Sequence, residues 1–430
     1  MPISLNNRRV TVFGLGRFGG GIAVARWLCE QGAVVTVTDR DDETKLADSV
    51  RQLAGLPITF RLGEQWESDF TQTDLVVTSP AVKPTHPLLA AAEQAGVPVT
   101  TEICLFAERC PGRVFGVTGT KGKSTTSKLL GLMLQSVVPN GLPFVGGNIG
   151  KSLLAELPRM TPASIVVLEL SSYMLHWLGK MSWSPNVAVL TMLGRDHVDW
   201  HGSADAYIDA KRNIVRYQKP GDRIVRRSDA LSATFMPNTG VSVDVYPDQA
   251  LPPFELKLPG EHNQVNAQAA FIAAKSAGVS WVAAQAAVAE FAGLPHRLQL
   301  VGERQGVRYF NDSIATIPEA AVLACDAFLA GRVIQIVGGS KKEGLTWDAM
   351  CDHLAARCKK VLTIGEIGPA LAERCGDAGE FVGTLDAAVS RANQLAIAGD
   401  VVLLSPGTAS YDQFPNFEKR GERFAELAKA

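Results

Sequence analysis

The chain has 430 residues, 46% of them hydrophobic and 20% charged, with a formal net charge of −1, a size for about three soluble globular domains. Balanced charge excludes a global basic field for nucleic acid or an anionic membrane, and no apolar run is long enough to span a bilayer. Seven cysteines without a C-x-x-C pair fit reduced, mostly buried thiols. The N-terminus enters a strand too soon to be a secretory signal, so a cytoplasmic protein is expected.

In chain order, "RRVTVFGLG" predicts a strand ending in glycines, "GIAVARWLCEQG" a helix with a glycine stop, and "AVVTVTDRD" the next strand. Further strands are predicted at "ITFRLG", "DLVVTSP" and "VPVTTEI", before the turn Cys110-Pro111-Gly112. "RVFGVTG" opens a second segment, with strands at "SIVVLEL" and "NVAVLTML" and Ala-rich helices at "NAQAAFIAAKSAG" and "WVAAQAAVAEFAG". Gly293-Leu294-Pro295 breaks the chain, and a third segment alternates through "VRYFND", "RVIQIVGG", "KKVLTIG" and "DVVLLSPG". Apolar strands alternating with helices indicate parallel sheets covered on both faces. The pattern predicts an α/β chain of three domains in series: Rossmann-like over 1–111, P-loop ATPase-like over 112–295, and Rossmann-like over 296–430.

Two glycine motifs carry the nucleotide chemistry. Gly14-x-Gly16-x-x-Gly19 follows a strand, opens a helix and has Asp39 at the end of the next strand, the dinucleotide fingerprint in its expected context. NAD, a UDP-sugar and a ligand-free glycine turn all fit it. Nothing downstream supplies a hydride-transfer constellation, so the motif reads as nucleotide-binding without redox chemistry.

The second motif, "GVTGTKGKST" at 116–125, breaks the usual phosphate-loop spacing, because Val117 stands where the first glycine belongs. Its loop amides, from Gly119 and Thr120 to Gly122, and the following helix N-terminus suit phosphates. Lys123 can reach the terminal ones, and Ser124 or Thr125 can face Mg²⁺. Glu169 ends a buried-looking strand where open α/β sheets place their ligands. "TMLGRDHVDWHGS" offers Asp196, His197, Asp199 and His201 around a divalent ion. Lys211 in "YIDAKRNIV" reads as an ordinary solvated helix lysine.

Taken together, these strings resemble the Mur ligases of peptidoglycan synthesis, within them the glutamate-adding branch. In the central segment the resemblance rests on "GVTGTKGKST", "GGNIG", "LELSSYML", "DHVDWHG" and "GEHNQVNA". In the third it rests on "GLPHRLQLV", "NDSIAT" and, most specifically, "LSPGTASYDQFPNFEKRGERF". Mur ligases use a G-x-x-G-x-x-G-K-[ST] loop, which accounts for the odd spacing.

The resemblance implies ATP-dependent amide formation in the cytoplasm through an acyl phosphate. D-Glutamate would be added to UDP-N-acetylmuramoyl-L-alanine by a monomer acting on small molecules, without nucleic acid or membrane. It implies UDP contacts at Gly14, Leu15, Gly16, Asp39, Arg40 and Asn148, and ATP contacts at Asn263, Asn266, Arg297 and Asp312 besides the loop. It makes Lys211 a carbamylated lysine that holds one Mg²⁺ with His197, while Glu169 and Ser124 hold another. Thr316, Lys342, Ser410 and Phe417 match the amino-acid site. One position departs: Ile314 stands where many relatives carry a lysine for the incoming glutamate, so L-glutamate or another amino acid stays open. From a different class, the first glycine motif alone would suggest an NAD-dependent oxidoreductase, which the phosphate loop argues against.

Overall fold

A computed structural model describes residues 4–16, 20–138, 141–150, 152–258, 260–291, 293–341 and 346–429. Three sheets follow one another along the chain. The first contains β1 (Arg9–Phe13), β2 (Val34–Asp39), β3 (Ile58–Leu62), β4 (Leu75–Thr78) and β5 (Val99–Thr101) in the order β3-β2-β1-β4-β5. All its pairings are parallel.

The second sheet contains β6 (Arg113–Thr118), β7 (Phe144–Gly147), β8 (Ile165–Glu169), β9 (Val187–Leu190), β10 (Arg223–Arg227) and β11 (Ser242–Tyr246). Its order is β11-β10-β9-β6-β8-β7, again parallel throughout. β1 and β6 sit where their sheets change direction of growth. In open parallel sheets that crevice, at the strands' C-terminal ends, is where ligands bind. Both glycine motifs follow these two strands.

The third sheet contains β12 (Gln299–Arg304), β13 (Val307–Asn311), β14 (Val333–Gly338), β15 (Lys360–Ile364), β16 (Gly379–Gly383) and β17 (Val401–Leu404). Its order is β12-β13-β17-β14-β15-β16, parallel except for the antiparallel β12–β13 pair.

Compactness divides the chain into two units, 1–253 with 265–287 and 254–264 with 288–430. The first unit holds two sheets because their core is continuous. The helix Glu102–Arg109 buries Ile103, Leu105 and Phe106 in one apolar cluster with Leu154, Leu175 and Trp177 from beyond the Cys110-Pro111-Gly112 turn. No helix among the described residues is long and apolar enough to cross a membrane.

Candidate active site

The phosphate loop joins β6 to the helix Lys123–Leu134. Gly116 belongs to the strand: a Cβ there would lie 2.7 Å from Pro185 Cγ and 3.0 Å from Leu170 Cδ1, so this glycine serves packing. Gly122 makes the turn, with φ of +88°, and a Cβ there would lie 2.5 Å from Asn266 Oδ1, so that side chain would have to shift. The loop is anchored from β9 and the segment after it. Thr191 Oγ1 donates to Lys121 O at 2.7 Å and to Thr118 O at 3.1 Å, while the Thr120 amide donates to Met192 O at 2.7 Å. Lys123 Nζ donates to Gly119 O at 3.1 Å and Thr120 O at 3.0 Å, folded back over its own loop. Ser124 and Thr125 are buried in the first helical turn. Gly122→Ala should weaken ATP binding by about tenfold, from a left-handed strain of about 1–2 kcal/mol. Calorimetric titration with ATP measures it.

Glu169, the last residue of β8, lies beside Val117 in the ladder and is 1% exposed. Asn148 clamps it: Nδ2 donates to Glu169 Oε1 and the Asn148 amide to Glu169 O, both at 2.9 Å. Glu169 Oε2 is buried with no hydrogen-bond partner. An orphaned carboxylate oxygen is costly unless a cation or donor meets it, so the position fits a metal ion. No group of three or more His, Cys, Asp and Glu donors gathers among the described residues. A divalent ion here would therefore draw on hydroxyl, phosphate or water oxygens as well, the ligand set Mg²⁺ prefers.

Lys211 corrects its sequence reading: it is 1% exposed, not a solvated lysine. Nζ donates to Gly119 O at 2.9 Å and Thr118 Oγ1 at 3.3 Å and lies 4.7 Å from the Tyr207 ring centre. Gly119 O thus accepts from both Lys123 and Lys211. Burial first, and the Lys123 charge second, hold the Lys211 amine well below the ordinary lysine range, against the opposing pull of Asp196 and Glu169. A neutral amine is nucleophilic, which is what carbamate formation with CO₂ needs.

Around it, with the expected His197 and His201, stand three aromatic residues that sequence reasoning passed over, Tyr173, Trp200 and Tyr207. Tyr207 OH meets Thr120 Oγ1 at 2.9 Å, so the buried tyrosine ties the Lys211 helix to the phosphate loop. Tyr173 packs 4.8 Å from His197 and from Trp200. His197 has left-handed backbone and Nε2 3.5 Å from Asp196 Oδ2. His201 Nε2 meets Ser172 Oγ at 3.0 Å; burial, with the nearby charges of His176, His197 and Lys211, brings it down to about 4.

At the end of β1, Gly14 and Gly16 both have positive φ, +97° and +62°, and Leu15 is buried between them. Asp39 fastens this turn: Oδ2 accepts from the Gly16 amide and Oδ1 from the Asp41 amide, each at 3.0 Å. Arg40 beside it is exposed. Gly19 lies outside the described residues.

Three family models match in register with this architecture: the MurD-like N-terminal domain over residues 8–101, the Mur ligase middle domain over 117–242, and the Mur ligase glutamate ligase domain over 296–407. A protein of Roseiflexus sp. (strain RS-1) named UDP-N-acetylmuramoylalanine--D-glutamate ligase is 38% identical over 100% of both chains. The chain belongs to the Mur ligase family.

A like-named relative from Anaeromyxobacter dehalogenans is also 38% identical, over 99% of this chain and 98% of its own. Among solved structures, the MurC ligase of Thermotoga maritima superposes with a TM-score of 0.63 at 20% identity, over 98% of this chain and 99% of its own. As a Mur ligase the chain is an ATP-dependent ligase, and the redox reading of the first glycine motif gives way.

The second unit of this Mur ligase carries the remaining sequence-derived positions. Asp312, just past β13, accepts from Ser405 Oγ at 2.7 Å and the Leu298 amide at 3.1 Å. Burial raises its carboxyl to about 7. Arg297 is half-buried, with Nε lacking a partner, and Asn263 is buried. Ser410 is buried, Thr316 and Ile314 half-buried, and Phe417 begins the helix Phe417–Lys429. Lys342 lies outside the described residues. Sequence reasoning missed Arg420, 1% exposed, whose guanidinium donates to Ser313 Oγ and O, both at 2.9 Å, and to Thr408 O at 3.2 Å. It ties the "NDSIAT" and "GTAS" loops together.

Asp312 has a pH signature. Its folded value lies above the unfolded carboxylate's, about 3.9, so the folded chain holds a proton the unfolded one has lost. Its contribution to stability therefore falls as pH rises from about 4 to 7, by up to about 1.4 kcal/mol per pH unit, and is flat above. Asp312→Asn should flatten that slope and raise the urea midpoint at pH 8.

Proposed function

We propose that this Mur ligase joins D-glutamate to the alanyl carboxylate of UDP-N-acetylmuramoyl-L-alanine, converting ATP to ADP and phosphate. The observation that carries the reading is the end-to-end match to relatives bearing that activity's name. In this reading 1–111 binds the UDP substrate, 112–295 binds ATP and 296–430 the amino acid, in a cytoplasmic monomer.

The substrate carboxylate attacks the γ-phosphorus, ADP leaves, and the amine of glutamate attacks the acyl phosphate to release phosphate. Carboxylate and triphosphate repel each other, so neutralising their charge is the main task. Loop amides and Lys123 meet the phosphates, with Asn263, Asn266, Arg297 and Asp312 as further ATP contacts. Gly14, Leu15, Gly16, Asp39, Arg40 and Asn148 serve the UDP substrate. Mg²⁺, held by Ser124 and Glu169 at one position and by His197 and carbamylated Lys211 at another, supplies further charge neutralisation. Asn148 keeps the Glu169 carboxylate aimed, and Tyr207 keeps Lys211 against the loop. Thr316, Lys342, Ser410 and Phe417 serve the incoming amino acid.

Ile314 favours a second reading, in which L-glutamate or another amino acid is the acceptor: an apolar side chain replaces a cation at an anion site. Phosphate release from ATP with UDP-N-acetylmuramoyl-L-alanine, compared between D- and L-glutamate, decides. Stimulation by D-glutamate is expected. Stimulation by L-glutamate alone would keep the chemistry and overturn the stereochemistry, and no stimulation by any amino acid would defeat both.

A further inference from the structure

Four of the seven cysteines gather in the second unit, in two pairs with different surroundings. Cys351 and Cys375 are buried; their thiols point to backbone carbonyls, Cys351 Sγ to Leu371 O at 4.0 Å and Cys375 Sγ to Cys351 O at 3.9 Å. Cys325 and Cys358 face each other, Sγ to Sγ, at 3.5 Å. Cys325 lies in the last turn of the helix Pro318–Asp326, and Cys358 caps the helix Asp348–Arg357.

Gln335 fixes the geometry from β14. It is fully buried, and its Nε2 donates to Ala321 O at 3.1 Å and Ser405 O at 3.2 Å. Its Oε1 therefore faces Cys358 Sγ, 3.9 Å away, and steers that thiol's hydrogen aside from Cys325. Cys325 is 1% exposed, whereas Cys358 is half-buried and so the more accessible of the two. The contact between the two sulfurs lowers the Cys325 thiol and raises the Cys358 thiol, while burial raises both and Arg357 opposes it. A more accessible member, a buried partner in contact and a neighbouring cation are features of a redox-active dithiol. No third metal donor joins the pair among the described residues, which sets it apart from a zinc site.

We propose that Cys325 and Cys358 are a reversible disulfide site, closed by a low-molecular-weight disulfide such as oxidised glutathione. The Cys358 thiolate attacks one sulfur of the oxidant, breaking its S–S bond and releasing the first small thiol. Cys325 then attacks the Cys358 sulfur of the mixed disulfide, forming the protein disulfide and expelling the second. The two protein thiols lose two electrons and two protons, which leave on the two released thiols. A disulfide bond is about 2.0 Å long, so side-chain rotation closes the remaining gap.

The full chain, kept folded, is incubated with oxidised glutathione and mapped by peptide mass spectrometry. A 325–358 linked peptide, two hydrogens lighter and restored by dithiothreitol, is expected; Cys358→Ser should abolish it, and Cys351→Ser should leave it intact. A stable glutathione adduct that never resolves to the link, a 351–375 link in its place, or a 325–358 link formed only in urea would overturn the proposal.

Discussion

Lys123→Ala is expected to lower turnover by about 10³-fold or more, the scale of losing a cation that meets transferring phosphate charge. Lys123 opens the helix that follows the phosphate loop, and its ammonium rests on Gly119 O and Thr120 O at 3.1 and 3.0 Å. Phosphate oxygens entering the loop would draw it from these carbonyls. Two effects add in the variant. The triphosphate keeps its full repulsion toward the attacking carboxylate, and Lys211 loses the neighbour whose charge helps keep it neutral. Lys123→Arg should recover only part, because a planar guanidinium does not reproduce a compact ammonium in so tight a loop. Single-turnover phosphate release measures both. A loss in Lys123→Ala below about tenfold would remove the loop from the chemistry.

Lys211→Ala should cost about 10²–10³-fold in kcat with little change in folding midpoint. The amine sits in the core, at 2.9 Å from Gly119 O and at 3.3 Å from Thr118 Oγ1, where a full positive charge is disfavoured by burial and by Lys123. Adding CO₂ replaces a neutral amine by an anion and releases a proton, so the modified form grows with pH and with dissolved CO₂. Short carboxylates such as acetate can enter the space left by the side chain and supply part of that anion. Steady-state kinetics should show partial rescue by acetate in Lys211→Ala and none in the parent. Near-normal turnover of the variant without additives would refute the carbamate role.

Much of the fold was legible because buried parallel strands declare themselves. β1, β6, β9, β14 and β17 are apolar runs read directly from the chain. Sheet edges were harder. β7 is "FVGG", β11 "SVDVY" and β16 "GEFVG", each with exposed or glycine positions that dilute the pattern, and β10 carries three arginines. Among candidate site residues, the glycine loop and Glu169 stood out by their position at the C-terminal end of a strand. Lys211 did not, yet its helix held a signal. Tyr207, Ile208, Ile214 and Val215 recur with helical period on one buried face, and Lys211 falls in that stripe. A charge on an apolar face was the clue. Arg420 and the Tyr207–Thr120 contact join positions more than 80 residues apart, and no local pattern announces such contacts.

The central claim is that ATP activates the carboxylate of the UDP-linked substrate. It is tested most directly by labelling that carboxylate with oxygen-18 and analysing the phosphate released during amide formation. Transfer of one labelled oxygen from carboxylate to phosphate is predicted, because the acyl phosphate carries the bridging oxygen that phosphate takes when the amine displaces it. Amide product accompanied by unlabelled phosphate would contradict the account.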